Sequence, residues 1–170
     1  MRESNPAVAR ALGADDWAPI DPRRLEGVLT RRVFAYFVDF CIIGVAVLFA
    51  NMVFFGVTIL SFGILSPVFG LLALIPVAYH TLTIGLGGAT WGQRMMGLVV
   101  TDMAGQRPSL LQALVQTILF YLTVPTTGGL ALLAVFFLPR RRTLHDLLAG
   151  TQVLRRVPEG GEILSAGAAR

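Results

Sequence analysis

Residues 33–86 form a run of 54 positions that contains one Asp, Glu, Lys or Arg, namely Asp39. A helix that crosses a bilayer needs about 20 predominantly apolar residues. The run is therefore long enough for two crossings. The break falls around Gly56 to Pro67, where Ser61, Gly63, Ser66 and Pro67 interrupt the run. That places a first span at 33–55 and a second at 66–86. The connection between them is short and uncharged, which fits a tight turn on the non-cytoplasmic side.

Composition supports this reading and closes off others. Hydrophobic residues make up 55% of the 170-residue chain and charged residues 14%, where a soluble domain carries roughly 25% charged residues. Such hydrophobicity excludes disorder for most of the chain. Cys41 is the only cysteine, so a disulfide-stapled secreted fold is excluded as well. All fourteen basic residues are arginines. Six lie in residues 1–32, two in 87–108 and six in 140–170. Clusters that flank apolar runs follow the positive-inside rule, and they argue against nucleic acid as a partner.

Residues 1–29 read as a disordered cytoplasmic tail that includes Trp17, and 156–170 as a second one. No apolar stretch near the start suggests a cleavable leader. The membrane domain is expected over 30–155. Residues 109–139 are uncharged and would measure about 46 Å as one helix. That is too long for one neat span and short for two. Pro125 and the sequence through Gly129 break the stretch into segments 109–125 and 129–139, either a span plus a half-span or a tight hairpin. Arg140-Arg141-Arg142 then stops it. If both ends are cytoplasmic, the chain crosses an even number of times. Residues 143–149 read as a short helix ended by Gly150. The stretches after Gly97 and Gly150 are both rich in β-branched residues and are expected to pair as a small cytoplasmic sheet. The expected fold class is an all-α integral membrane helix bundle: two full spans, a broken third and fourth segment, and that β pair.

Asp39 is the chemically odd residue. A carboxylate near the centre of a span costs roughly 2.5–3.5 kcal/mol on insertion scales. One reading makes it a hydrogen-bonding clamp between helices; the other makes it an ion or proton site. Arg32 lies seven residues earlier, about 10 Å along the helix and on the same face, with Ala35. That separation favours a partner from another segment for each. His80 reads as a structural hydrogen-bonding residue or a relay. Cys41 reads as inert packing. His145-Asp146 reads as a surface pairing with Arg94 or Arg142, or as a gate over the Asp39 cavity. No catalytic motif, paired cysteines or metal-ligand spacing is visible, so an enzyme, a cofactor and a metal are not expected.

Arg32-Val-Phe-Ala35-Tyr-Phe-Val-Asp39 resembles the R-x-x-A-x-x-x-D opening of the RDD family of small membrane proteins. Thr90-Trp-Gly92-Gln-Arg94-Met-Met-Gly97-Leu-Val-Val100 resembles its central T-x-G-K-x-x-x-G-x-x-V motif. Arg142-Thr143-Leu144-His145-Asp146, continuing to Gly150-Thr151-Gln-Val153, resembles its closing R-x-x-H-D-x-x-x-G-T-x-V motif. The resemblance covers about residues 30–155. It implies Arg32, Asp39 and Asp146 as the family residues, with Ala35, Thr90, Gly92, Arg94, Gly97, His145, Gly150 and Thr151 in support. Two departures stand out. Gln93 replaces the usual Lys, with Arg94 next to it as a substitute charge, and Gln116 stands where relatives often have a basic residue. The resemblance implies a transporter or transporter subunit, with a monovalent cation or proton coupled through Asp39. A non-transporting scaffold that docks a partner membrane protein is the alternative. Either would sit in the inner membrane of a bacterium, as a homo-oligomer or with another membrane protein, with both termini cytoplasmic.

Overall fold

The computed structural model describes residues 20–156. The expectations for the two tails, Trp17 included, fall outside these residues except at 20–29 and 156. That first exception is folded rather than a tail. A 3-10 turn at Pro22–Leu25 leads through Gly27 into the first helix. There Val28 is fully buried, and Arg24 Nε donates to the Arg155 carbonyl at 3.3 Å.

Helix α1 spans Val28–Leu60, which at 1.5 Å per residue is about 50 Å. It exceeds the expected 33–55 at both ends. Gly56, read as part of a break, sits inside it; a single helical glycine costs only about 1 kcal/mol. The chain turns where Phe62 and Gly63 both take positive φ. A 3-10 segment, Ser66–Ala73, runs directly into α2, Leu74–Gly87. Together they form a 22-residue apolar span, Ser66–Gly87. Short helix α3 (Trp91–Met95) and strand β1 (Leu98–Asp102) follow.

Helix α4 covers Leu110–Thr126 and continues through Pro125. The break falls at Gly128 and Gly129, both left-handed. There the chain bends by 110° into a 3-10 segment, Leu130–Phe136. A 3-10 turn at Pro139–Arg141, helix α5 (Leu144–Leu148) and strand β2 (Thr151–Arg155) complete the described chain. Strands β1 and β2 pair antiparallel, with Val100 opposite Val153 and Thr101 opposite Gln152. Gly97 and Gly150, at φ 66° and 65°, take the left-handed conformation that leads into each strand. Because the strands are hydrogen-bonded, they lie on one side of any membrane the helices cross. The bent pair between them therefore starts and ends on that side.

The packed core lies at this end. Val28 and Ala35 of α1 meet Ile84 of α2, Leu98 and Val100 of β1, Ala113 of α4 and Val153 of β2. Farther along α1, Phe40, Phe49 and Leu60 stand exposed. Such a surface suits lipid and not water. Two long apolar helices, a bent apolar pair and a small β pair make this an all-α membrane helix bundle.

Candidate functional site

One face of α1 carries Arg32, Ala35 and Asp39, all buried at helical spacing. Asp39 is met by three neutral donors. Tyr79 Oη donates to its Oδ1 at 2.6 Å and the Gly92 amide to the same oxygen at 2.9 Å. Thr90 Oγ1 donates to Oδ2 at 2.6 Å. The Gly92 amide comes from the first turn of α3, where N–H groups lack partners within the helix. Thr90 also caps that helix: its Oγ1 accepts from the Gln93 amide, and Gln93 Oε1 accepts from the Thr90 amide. A Cβ on Gly92 would collide with the Ala35 carbonyl and crowd the Asp39 carboxyl. The Ala35, Asp39, Thr90 and Gly92 set is thus the contact surface between α1 and the chain entering α3. Small residues let the backbones approach, and hydroxyl and amide donors satisfy the acid.

Asp146 is anchored differently. Arg32 Nη1 donates to its Oδ2 at 2.6 Å, and both side chains are buried. Gln116 Nε2 donates to Oδ1 at 2.8 Å and the Thr143 amide to Oδ2 at 3.3 Å. Burial pushes this carboxyl up, but the Arg32 guanidinium and the hydrogen bonds from Thr143 and Arg32 outweigh it and hold the group well below the ordinary carboxylate range. Burial also lowers the neighbouring His145, against the pull of Asp146, so its imidazole is neutral near pH 7. Its Nε2 lies 2.9 Å from Thr143 Oγ1. Burial brings Arg142 down to about 10, so it stays protonated at pH 7. The surface pairing of Asp146 with Arg94 or Arg142 is thereby corrected: the acid is buried and its salt-bridge partner is Arg32. The reason is the capped turn at Thr143, which tucks α5 inward beneath α1 and α4.

Between the two carboxylates lies a cavity of about 30 Å³. Arg32, Asp39, His80, Gln116, His145 and Asp146 contribute to its lining. His80 Nδ1 lies 3.0 Å from the Pro76 carbonyl and 3.2 Å from Tyr121 Oη. On the frame around the cluster, Thr151 Oγ1 donates to the Asp146 carbonyl at 3.4 Å. Gln112 Nε2 donates to the carbonyls of Ala149 and Gly150 at 3.0 and 3.1 Å. Among the described residues, no group of three or more His, Cys, Asp or Glu side chains is placed to hold a metal.

The expected residues Arg32, Ala35, Asp39, Thr90, Gly92, His145 and Asp146 come together, with Gly97, Gly150 and Thr151 shaping the strand starts beside them. Arg94 does not join. It is exposed, donates through Nε to the Ala89 carbonyl at 3.2 Å and lies over the Trp91 ring at 5.6 Å. It is not a substitute charge for the cavity, where Gln93 stands instead. Cys41 is exposed, not packed. Sequence reading did not assign Tyr79 to Asp39 or Gln116 to Asp146. Polar side chains on otherwise apolar faces were the available signal.

These features define a small polytopic membrane protein in which two buried acids, from a span and from a peripheral helix, lock short surface elements onto the spans. The sequence profile of the RDD family matches residues 27–150, and the chain belongs to the RDD family. No curated protein and no solved structure matches it.

Proposed function

We propose that this RDD family protein is a membrane scaffold subunit. Its polar cluster clamps a cytoplasmic cap, made of α3, α5 and the β pair, onto the spans. Its long helix α1 then meets another membrane chain, either a second copy or a partner. The observation that carries this reading is the closure of Asp39: three neutral donors occupy it. The most apolar 18-residue window of α1, in contrast, has no residue buried inside the protein. On this reading both termini and residues 87–108 face the cytoplasm, which puts every arginine on one side. The membrane is the inner membrane of a bacterium. No chemistry beyond docking is asked of the cluster.

A second reading, transport coupled to a proton or monovalent cation, is favoured by one feature. The cavity touches both acids and also His80 and His145, groups able to pass a proton. Flux from purified protein in sealed vesicles separates the two. The scaffold reading expects proton and sodium leak no greater than in protein-free vesicles, and crosslinks from a cysteine at Phe49, in a Cys41→Ser background, to a second chain in native membranes. A flux lost in Asp39→Asn while the protein stays folded would establish transport instead.

A further inference from the structure

The cavity between the two acids is lined by side chains whose hydrogen bonding is incomplete. Arg32 Nε and Nη2, Gln116 Oε1 and His145 Nδ1 are buried atoms with no hydrogen-bond partner among the described residues. The three residues are 6%, 5% and 2% exposed. Leaving such groups unpaired is unfavourable, so the site is complementary to a guest.

The hydrogen-bond inventory identifies the guest. Arg32 offers three free N–H bonds, one on Nε and two on Nη2. On the accepting side is Gln116 Oε1. A carboxylate has about four lone-pair positions. Asp39 accepts from Tyr79, Gly92 and Thr90, and Asp146 from Arg32, Gln116 and Thr143. Each acid therefore retains one position. Unpaired donors and acceptors thus both belong to residues that line the same space, with the His145 nitrogen able to take either role according to its tautomer. An anion would satisfy Arg32 but oppose two carboxylates and an amide oxygen. A bare cation would satisfy those oxygens but oppose the Arg32 N–H bonds. A molecule that both donates and accepts fits, and a buried water needs about 10–15 Å³ of such space where about 30 Å³ is present.

We propose that this cavity is a hydration site for two water molecules. They bridge Arg32 to Gln116 and join the Asp39 and Asp146 clusters into one hydrogen-bonded network. The site stands whichever reading of function holds. Two family carboxylates that no direct contact connects would then share Arg32 through water.

The test is a structure of the intact protein in a lipid phase, at a resolution that shows ordered water, from crystals grown with rubidium and bromide. The expected result is two peaks without anomalous signal, at about 2.7–3.2 Å from Arg32 Nε or Nη2 and from Gln116 Oε1. An anomalous peak in the cavity would overturn the proposal in favour of an ion. An empty cavity, in a map that shows ordered water elsewhere, would overturn it outright.

Discussion

Asp39 and Asp146 are buried almost equally, at 3% and 1% exposed, yet they are stabilised by opposite means. Asp39 lies well inside α1 and is held by two hydroxyls and a backbone amide. Asp146 lies outside the spans and is held by a guanidinium. Neutral donors can satisfy an acid without placing a second charge in the bilayer. A guanidinium does so more strongly, and it makes each partner depend on the other. The two acids should therefore respond very differently to loss of charge.

The largest expected effect is at the ionic pair. Arg32→Met keeps the aliphatic stem but leaves Asp146 buried without its cation. Breaking a buried pair from one side costs about 3–5 kcal/mol, so the variant should melt far below wild type in detergent. A near-normal melting temperature would show that Gln116 and Thr143 suffice and would erase the contrast between the acids.

Next comes the close contact that serves Asp39. Gly92→Ala sets a methyl against the Ala35 carbonyl, and overpacking of this kind costs about 1–3 kcal/mol. Its melting temperature should fall, and limited proteolysis should cut first near α3. An unaffected variant would mean that α3 approaches α1 less closely than described here.

The smallest effect is a pH slope. Burial holds His145 below its unfolded value of about 6.5. The folded state thus prefers neutral imidazole. This contribution is complete above about pH 6.5 and is lost as pH falls through the lowered folded value. Asp146, also lowered, contributes above its unfolded value of about 3.9 and loses that contribution only in stronger acid. Wild-type melting should therefore decline gently from pH 6.5 to 5, and His145→Gln should flatten that decline. An unchanged slope would assign it to other groups.

Much of this contrast is legible in the sequence. An acid in an apolar run has to find partners, and the seven-residue offset from Arg32 already argues for partners on other segments. The strand pair follows from two Gly-led β-branched stretches. Other parts are not local. Asp146 follows three arginines and reads as surface, because nothing nearby in sequence reveals that α5 turns inward. Tyr79 and Gln116 sit on faces whose neighbours only the packing of α2 and α4 defines. The full length of α1 is not legible either, because Gly56 looks like a break, although its small helical penalty does not stop a helix that continues to Leu60.

The central claim is that Asp39 acts as an acceptor for three neutral donors and not through its charge. Thermal melting of Asp39→Asn beside Arg32→Met, in the same detergent, tests it most directly. An amide keeps its carbonyl oxygen at the Oδ1 position, where Tyr79 and the Gly92 amide donate, and the Thr90 hydroxyl can turn to accept from its nitrogen. The account predicts that Asp39→Asn inserts, folds and loses about 1 kcal/mol, a small fraction of the Arg32→Met loss. An Asp39→Asn variant that melts as low as Arg32→Met would contradict it, because the negative charge itself would then hold the fold together.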